Sequence, residues 1–360
     1  MTALGTRTAD GAPSSRTPEP AVMAGEWQAI HIYYGAVRQD MLTRSIKPMI
    51  DGLCRDGLLA GYFFINYWVE GPHLRLRLKP SSPAATAEVL DRAETAIAAY
   101  LRARPALYED TLASHPELYN TLFDLEFTLE ERARYLGPDG RMLIRPNNSF
   151  CRQPYQPEYG RYGGLSGVDL AEWHFQHSSD AVLEVLRTMN VHLRTVVLGI
   201  AAQLMMVMTT AFLPAAEAST QFLQGYHDYW SGAVAKTAFA SAEDYDAAYD
   251  SMGASVRNRF AAIRGALDHG AGGQLPGVLA GWSGHCQQLR ARITALARAG
   301  ELVFRAWDGP GEELVTDPGA AAWRLLMGYL HMTNNRLGVT ITDESYLAYV
   351  LARALREVAP

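Results

Sequence analysis

Trp27 to Tyr34 (WQAIHIYY) alternates apolar and polar side chains, the period-two signature of a half-buried strand. From Asp40 to Leu53 the period changes: Met41, Leu42, Ile46, Met49, Ile50 and Leu53 recur near helical spacing. Residues 60–68 (AGYFFINYW) are aromatic and β-branched, which predicts a second strand, and 73–79 (HLRLRLK) predict a third. Gly71-Pro72 marks the turn between them, and a helix is expected over 84–103. The first hundred residues therefore read β-α-β-β-α, an α+β layer around a twisted sheet.

Residues 105–165 lack a period. Pro154, Pro157 and GRYGG at 160–164 mark loops, and short strands are expected near 142–152. From Asp169 the pattern turns helical. Helices are predicted near 168–188, 191–213, 218–236, 242–267, 276–299, 319–335 and 342–356, with LVFRA at 302–306 as a short strand returning to the sheet. The expected fold class is α+β, a twisted N-terminal sheet layer followed by a mainly helical half. Residues 1–25, rich in Thr, Ser, Pro, Ala and Gly, read as a disordered tail without the apolar stretch of a secretory signal. Residues 26–360 read as one domain, and the cytoplasm is the expected location.

Composition narrows the function classes. The chain has 360 residues, is 48% hydrophobic and carries a net charge of −6, which argues against a general nucleic-acid binder. Cys54, Cys151 and Cys286 are widely spaced with no CxxC, so neither a disulfide scaffold nor a structural zinc site is expected. Val196–Leu213 is an uncharged run that as a helix would extend about 27 Å, just short of a bilayer core. With Gln203, Thr209 and Thr210 inside it and no flanking basic cluster, it reads as a core helix, not a membrane span. There is no HExxH, GxxxxGK[ST] or GxSxG. His174 and His177 share a helical face after Glu172, but no further metal ligand is identifiable, so no metal or organic cofactor is expected.

The strongest local feature is the third strand. Alternation places Leu74, Leu76 and Leu78 on one face and His73, Arg75, Arg77 and Lys79 on the other. Arg75 and Arg77 stand about 7 Å apart, a spacing that suits two guanidinium forks on the two carboxylates of one small diacid, or on one diacid plus an enzymatic acid. An ordinary amphipathic strand with a solvated basic face gives the same pattern. A second cluster, Glu158-Tyr159-Gly160-Arg161-Tyr162-Gly163-Gly164, lies in a Gly/Pro-bounded loop, where charged residues are site candidates; a local Glu–Arg pair closing a turn is its plain alternative. The third is His331-Met332-Thr333-Asn334-Asn335-Arg336-Leu337-Gly338, with His331 and Asn335 on one helical face. Gly338 and Arg336 suit a helix C-terminus, and Asp343 and Glu344 suit the first turn of the next helix, so the helix dipole alone accounts for Arg336 and Glu344.

The segments FFINYWVEGPHLRLRL (63–78), PEYGRYGG (157–164), AEWHFQHSSDAVL (171–183) and HMTNNRLG with Glu344 together resemble the C-terminal domain of class I lantibiotic dehydratases, which also occurs as standalone thiopeptide-type bacteriocin biosynthesis proteins. The resemblance spans about 27–357 and keeps the order of the blocks. It departs at Asn66, where the family commonly has arginine, and at Ser179, where aspartate is common. It implies elimination of glutamate from glutamylated Ser or Thr of a ribosomal precursor peptide, giving dehydroalanine or dehydrobutyrine. A partner protein would perform the glutamylation from glutamyl-tRNA, and this chain would contact no nucleic acid or membrane. The family's important residues correspond to Arg75, Arg77, Glu158, Arg161, His331 and Glu344. His73, Tyr162 and Asn335 flank them as substrate-binding candidates. Arg75, Arg77 and Arg161 are assigned to the glutamyl group and the developing charge, His331 to proton transfer, and Glu158 and Glu344 to orientation; the residue that takes the Cα proton stays unassigned. Two alternatives stand: a pyridine synthase joining two dehydroalanines in a formal [4+2] cycloaddition with leader release, and a non-catalytic peptide-binding scaffold.

Overall fold

A computed structural model describes residues 25–107, 123, 127–137, 140, 142–234, 242–306 and 311–358. Almost all of the expected N-terminal tail lies outside them. Strands β1 (Gln28–Tyr33), β2 (Leu59–Tyr67), β3 (His73–Pro80) and β4 (Ser149–Gln153) form one antiparallel sheet in the order β2-β3-β1-β4. Helix α1 (39–55) separates β1 from β2 and turns π-helical over Leu42–Ile46. Helix α2 (Thr86–Ala103) follows β3. The β-α-β-β-α order is the one that the change of period dictates.

Register explains the layer. Leu76 stands between Ile30 of β1 and Phe64 of β2, with Leu74 opposite Ile32, and all five side chains are buried. Val89, Leu90, Ala93, Ile97 and Leu101 of α2 recur at three- and four-residue spacing and close over this leucine face.

The helical half comprises α3 (Gly164–Thr188), α4 (Arg194–Phe212), α5 (Ala216–Val234), α6 (Ala242–Asp268), α7 (Val278–Ala299), α8 (Pro318–Leu337) and α9 (Ile341–Val358). Among the described residues α4 is the one helix long and apolar enough to cross a membrane. It packs against α6, α7 and α8, the position that a helix apolar on all sides fills in a large core.

Two expectations change. β5 (Val303–Arg305) pairs with β6 (Glu312–Leu314) as a separate ribbon and does not rejoin the main sheet. Leu302 and Phe304 pack on Gly163, whose carbonyl accepts from Val303 N, and the free edge of β2 is already occupied by α8. Within 142–152 the ladder starts at Ser149; Met142 makes one isolated bridge to Leu136.

Side chains join the halves along β2. Asn66 N donates to Asn335 Oδ1 (2.8 Å), Asn335 Nδ2 donates to Asn66 O (2.8 Å), and Asn66 Nδ2 donates to Asn335 O (2.6 Å). Earlier on β2, Phe64 N donates to Ser179 Oγ and the Tyr62 hydroxyl to Asp180, both on α3. Both departures from the family pattern, Asn66 and Ser179, therefore sit at this seam.

Candidate functional site

The face of β3 opposite the leucines builds up in rows: Tyr67–His73–Tyr33, then Ile65–Arg75–His31–Cys151, then Phe63–Arg77–Ala29–Gln153. It is not a solvated basic face, since His73 is fully buried and Arg77 is 6% exposed. The turn before β3 holds Glu70 and Gly71 at positive φ, with Glu70 clamped by Arg145 Nε (2.8 Å). That turn presents the Gly71 carbonyl to His73 Nδ1 at 2.8 Å. Nδ1 must donate there, so Nε2 is an acceptor and receives Arg75 Nε–H at 3.1 Å. Burial, then Arg75, pulls the His73 pKa down to about 3, and the imidazole is neutral. Arg75 lies 3.3 Å above the Tyr67 ring. Held by Nε and by stacking, its terminal nitrogens carry no hydrogen bond to the described residues.

Arg77 has less support. Its guanidinium lies 5.5 Å from the Tyr155 ring, and its Nε and Nη1 are buried without a partner among the described residues. Burial, followed by Arg75, lowers its pKa to about 9, which leaves it charged at neutral pH. A buried, unpaired cation costs several kcal/mol, and such groups mark sites where another molecule completes the hydrogen bonds. Tyr155 comes from the loop after β4 and also bonds Glu172, which Trp27 Nε1 holds at 2.6 Å.

His331, Glu344 and Tyr226 form another cluster, in the helical half. His331 Nδ1 lies 3.0 Å from Glu344 Oε1, and the Tyr226 hydroxyl donates to Oε2. The Trp230 ring covers the imidazole at 4.7 Å. Glu344 is fully buried, so its place in a helix first turn is the lesser part of its role. Among the described residues no hydrogen bond, ion pair or ring contact links this cluster to Arg75 or Arg77.

Glu158 and Arg161 pair with each other at 3.3 Å, their side chains 57% and 50% exposed. Arg161 lies on a single helical turn (Tyr159–Tyr162) that follows Glu158 and is capped by Gly163 at φ +90°. Tyr162 is buried, packed on Phe175 and stacked on Tyr329. Asn335 spends its amide on the β2 backbone. His174 is buried against His285, Nδ1 to Nε2 at 2.9 Å, while His177 Nδ1 bonds Trp173 O. Among the described residues no group of three or more His, Cys, Asp or Glu is arranged to hold a metal ion.

Two residues escape the sequence reading. Arg336 is 1% exposed, not a surface charge at a helix end. One nitrogen bonds Met332 O, Nε and Nη2 are bare, and the guanidinium sits 4.7 Å from the Phe175 ring. His31 is 7% exposed, stacks on His73 at 4.9 Å, and has no hydrogen-bond partner on either ring nitrogen among the described residues. Burial, then Arg75 and Arg77, lowers its pKa to about 2. Its only sequence signal was membership of a period-two strand.

Comparison with known proteins gives a family and a fold. Residues 27–355 match the model of the lantibiotic biosynthesis dehydratase C-terminal family. No curated protein matches the sequence significantly. Among solved structures, the pyridine synthase TbtD of thiomuracin biosynthesis aligns with a TM-score of 0.69 at 22% identity, over 92% of this chain and 98% of that one. TsrL aligns at 0.63 and 18% identity, over 92% and 95%. The tRNA-dependent lantibiotic dehydratase MibB of Microbispora sp. 107891 aligns at 0.58 and 18% identity, over 95% of this chain but 29% of MibB.

Proposed function

The chain belongs to the lantibiotic biosynthesis dehydratase C-terminal family, and from that premise we propose that it eliminates glutamate from glutamylated Ser or Thr of a ribosomal precursor peptide. The products are dehydroalanine or dehydrobutyrine and free glutamate. One observation carries the reading: Arg75 and Arg77 stand side by side on a buried strand face with donor nitrogens that nothing among the described residues satisfies. A carboxylate satisfies such donors through charge-assisted, forked hydrogen bonds.

The reaction breaks the Cα–H and Cβ–O bonds, forms Cα=Cβ, and expels a carboxylate. Arg75 and Arg77 hold the glutamyl group and stabilise the carboxylate as it leaves, with Arg161 reaching the same group from its loop and Glu158 orienting it. Fixed cationic donors at a developing charge supply the largest contribution in reactions of this type. His331 moves a proton: Glu344 takes its Nδ1–H, which leaves Nε2 to accept or donate. The precursor peptide and a separate glutamylation protein are the partners, no metal or organic cofactor takes part, and the enzyme works in the cytoplasm.

The test uses a precursor peptide carrying glutamyl-Ser esters, prepared without tRNA. Free glutamate and a dehydroalanine-containing peptide are the expected products. The second reading, a pyridine synthase, draws on the end-to-end alignment with TbtD. A protein that leaves the ester intact but releases leader from a fully dehydrated thiazole peptide makes that reading correct, and the arginine strand is then a peptide-binding surface. A scaffold does neither.

A further inference from the structure

We propose that His31 is the base that takes the Cα proton of the glutamylated residue; the proposal rests on the elimination reading. The sheet places His31 between Arg75 on β3 and Cys151 on β4, in the middle of the basic face. A buried imidazole ordinarily has a partner on at least one nitrogen. His73 has two, the Gly71 carbonyl and Arg75. His331 commits Nδ1 to Glu344 and stands in the helical half. His31 commits neither nitrogen, although stacking on His73 fixes its ring.

The groups around it decide its protonation. From β3 it faces Arg75, Arg77 and His73, from the segment entering β4 Arg145, and across the β1–β4 ladder Cys151. Glu70 is engaged by Arg145 and Tyr33. Desolvation, then the surrounding cations, keep the imidazole neutral, so neither ring nitrogen is committed to a second proton. When the free carboxylate and the ester of a glutamyl group occupy Arg75 and Arg77, the cationic part of the depression is offset and proton affinity rises, while the larger part, from burial, stays. The base is thus strengthened by the substrate it acts on. In the step, the Cα proton passes to a ring nitrogen of His31, the C–H electron pair becomes the Cα=Cβ bond, and the Cβ–O pair leaves with glutamate. The imidazolium then returns its proton to solvent as glutamate departs.

His31→Phe keeps a flat ring to stack on His73 and removes both nitrogens; His31→Gln keeps polarity without a base. Both are measured in single turnover on the glutamylated peptide, with binding of that peptide and thermal unfolding recorded in parallel. The expected result is a loss of roughly 10²- to 10⁴-fold in elimination rate for both variants, with peptide affinity and unfolding temperature close to wild type. Wild-type protein in D₂O should also exchange the Cα proton of a non-eliminating amide analogue of the ester, and His31→Phe should not. A His31→Phe variant that eliminates at the wild-type rate overturns the assignment while leaving the elimination reading intact. Should His31→Phe unfold, equal Cα exchange by wild type and folded His31→Gln does the same. A wild-type protein inert towards the ester overturns the reading and, with it, the base.

Discussion

At His331 the polar atoms that enter the helical core arrive with partners: Nδ1 meets one oxygen of Glu344, and the other oxygen receives the Tyr226 hydroxyl. On β3 the arrangement is reversed. Arg77 is buried with two bare nitrogens, and His31 across the sheet is bare at both. Both regions hold buried charged or titratable groups, so burial alone does not tell them apart. What distinguishes them is whether the protein satisfies its own donors and acceptors. A satisfied cluster adds stability and specifies one packing. An unsatisfied one lowers stability and is kept where a ligand completes it.

That contrast can be broken most sharply at Arg77. Arg77→Met should lower the elimination rate by about 10²- to 10³-fold, the effect of losing one charge-stabilising donor. In the same variant, unfolding in denaturant should show stability raised, by about 1–4 kcal/mol, because an unpaired buried charge is replaced by an apolar chain. A variant that is inactive and also less stable would show Arg77 to be structural. Glu344→Ala should behave in the opposite way. It strips Tyr226 and His331 of their partner, and a loss of about 3 kcal/mol is expected in equilibrium unfolding; unchanged stability would equate the two regions.

Acid sharpens the comparison with a smaller effect. His31 and His73 have folded pKa values near 2 and 3, well below the ordinary 6.5. Between those values and 6.5 the unfolded chain takes up protons that the folded chain refuses. Their contribution to stability is therefore complete above about pH 6.5 and is lost as pH falls towards 3. At pH 5.5 each of these histidines should account for about 1.4 kcal/mol of that loss. Replacing either by Phe should flatten the slope of stability against pH between 6.5 and 5.5. A slope unaffected by both replacements would mean that neither imidazole is held neutral.

The fold was legible wherever a local period sufficed. The change from alternation to helical spacing gave β1, α1, β2 and β3 in order, and alternation on 73–79 separated the leucines from the arginines correctly. The site was legible only in part. Arg75 and Arg77 stood out because two strand neighbours with forked cations are unusual on any face. Arg336 and Glu344 were masked by a sufficient local explanation, the helix dipole, while the contacts that matter come from Phe175 and Tyr226 in other helices. His31 looked like any polar position of a strand, and only the register with Arg75 gives it meaning. LVFRA reads as a sheet strand from its own residues; its ribbon partner and its seat on Gly163 are set by chain far away in sequence.

The splice between Asn66 and Asn335 carries a mechanical consequence. Three amide hydrogen bonds bolt α8 to the edge of β2, and His331 stands one turn earlier on the same helix, about 6 Å along a stiff rod. Two strands of ladder connect that bolt to Arg75. Helix rise and strand spacing along this one connected path set the gap between His331 and the arginines, like the jaw of a caliper. On the elimination reading, a peptide that reaches both must conform to that gauge, and substrate choice becomes a matter of reach measured in whole side chains.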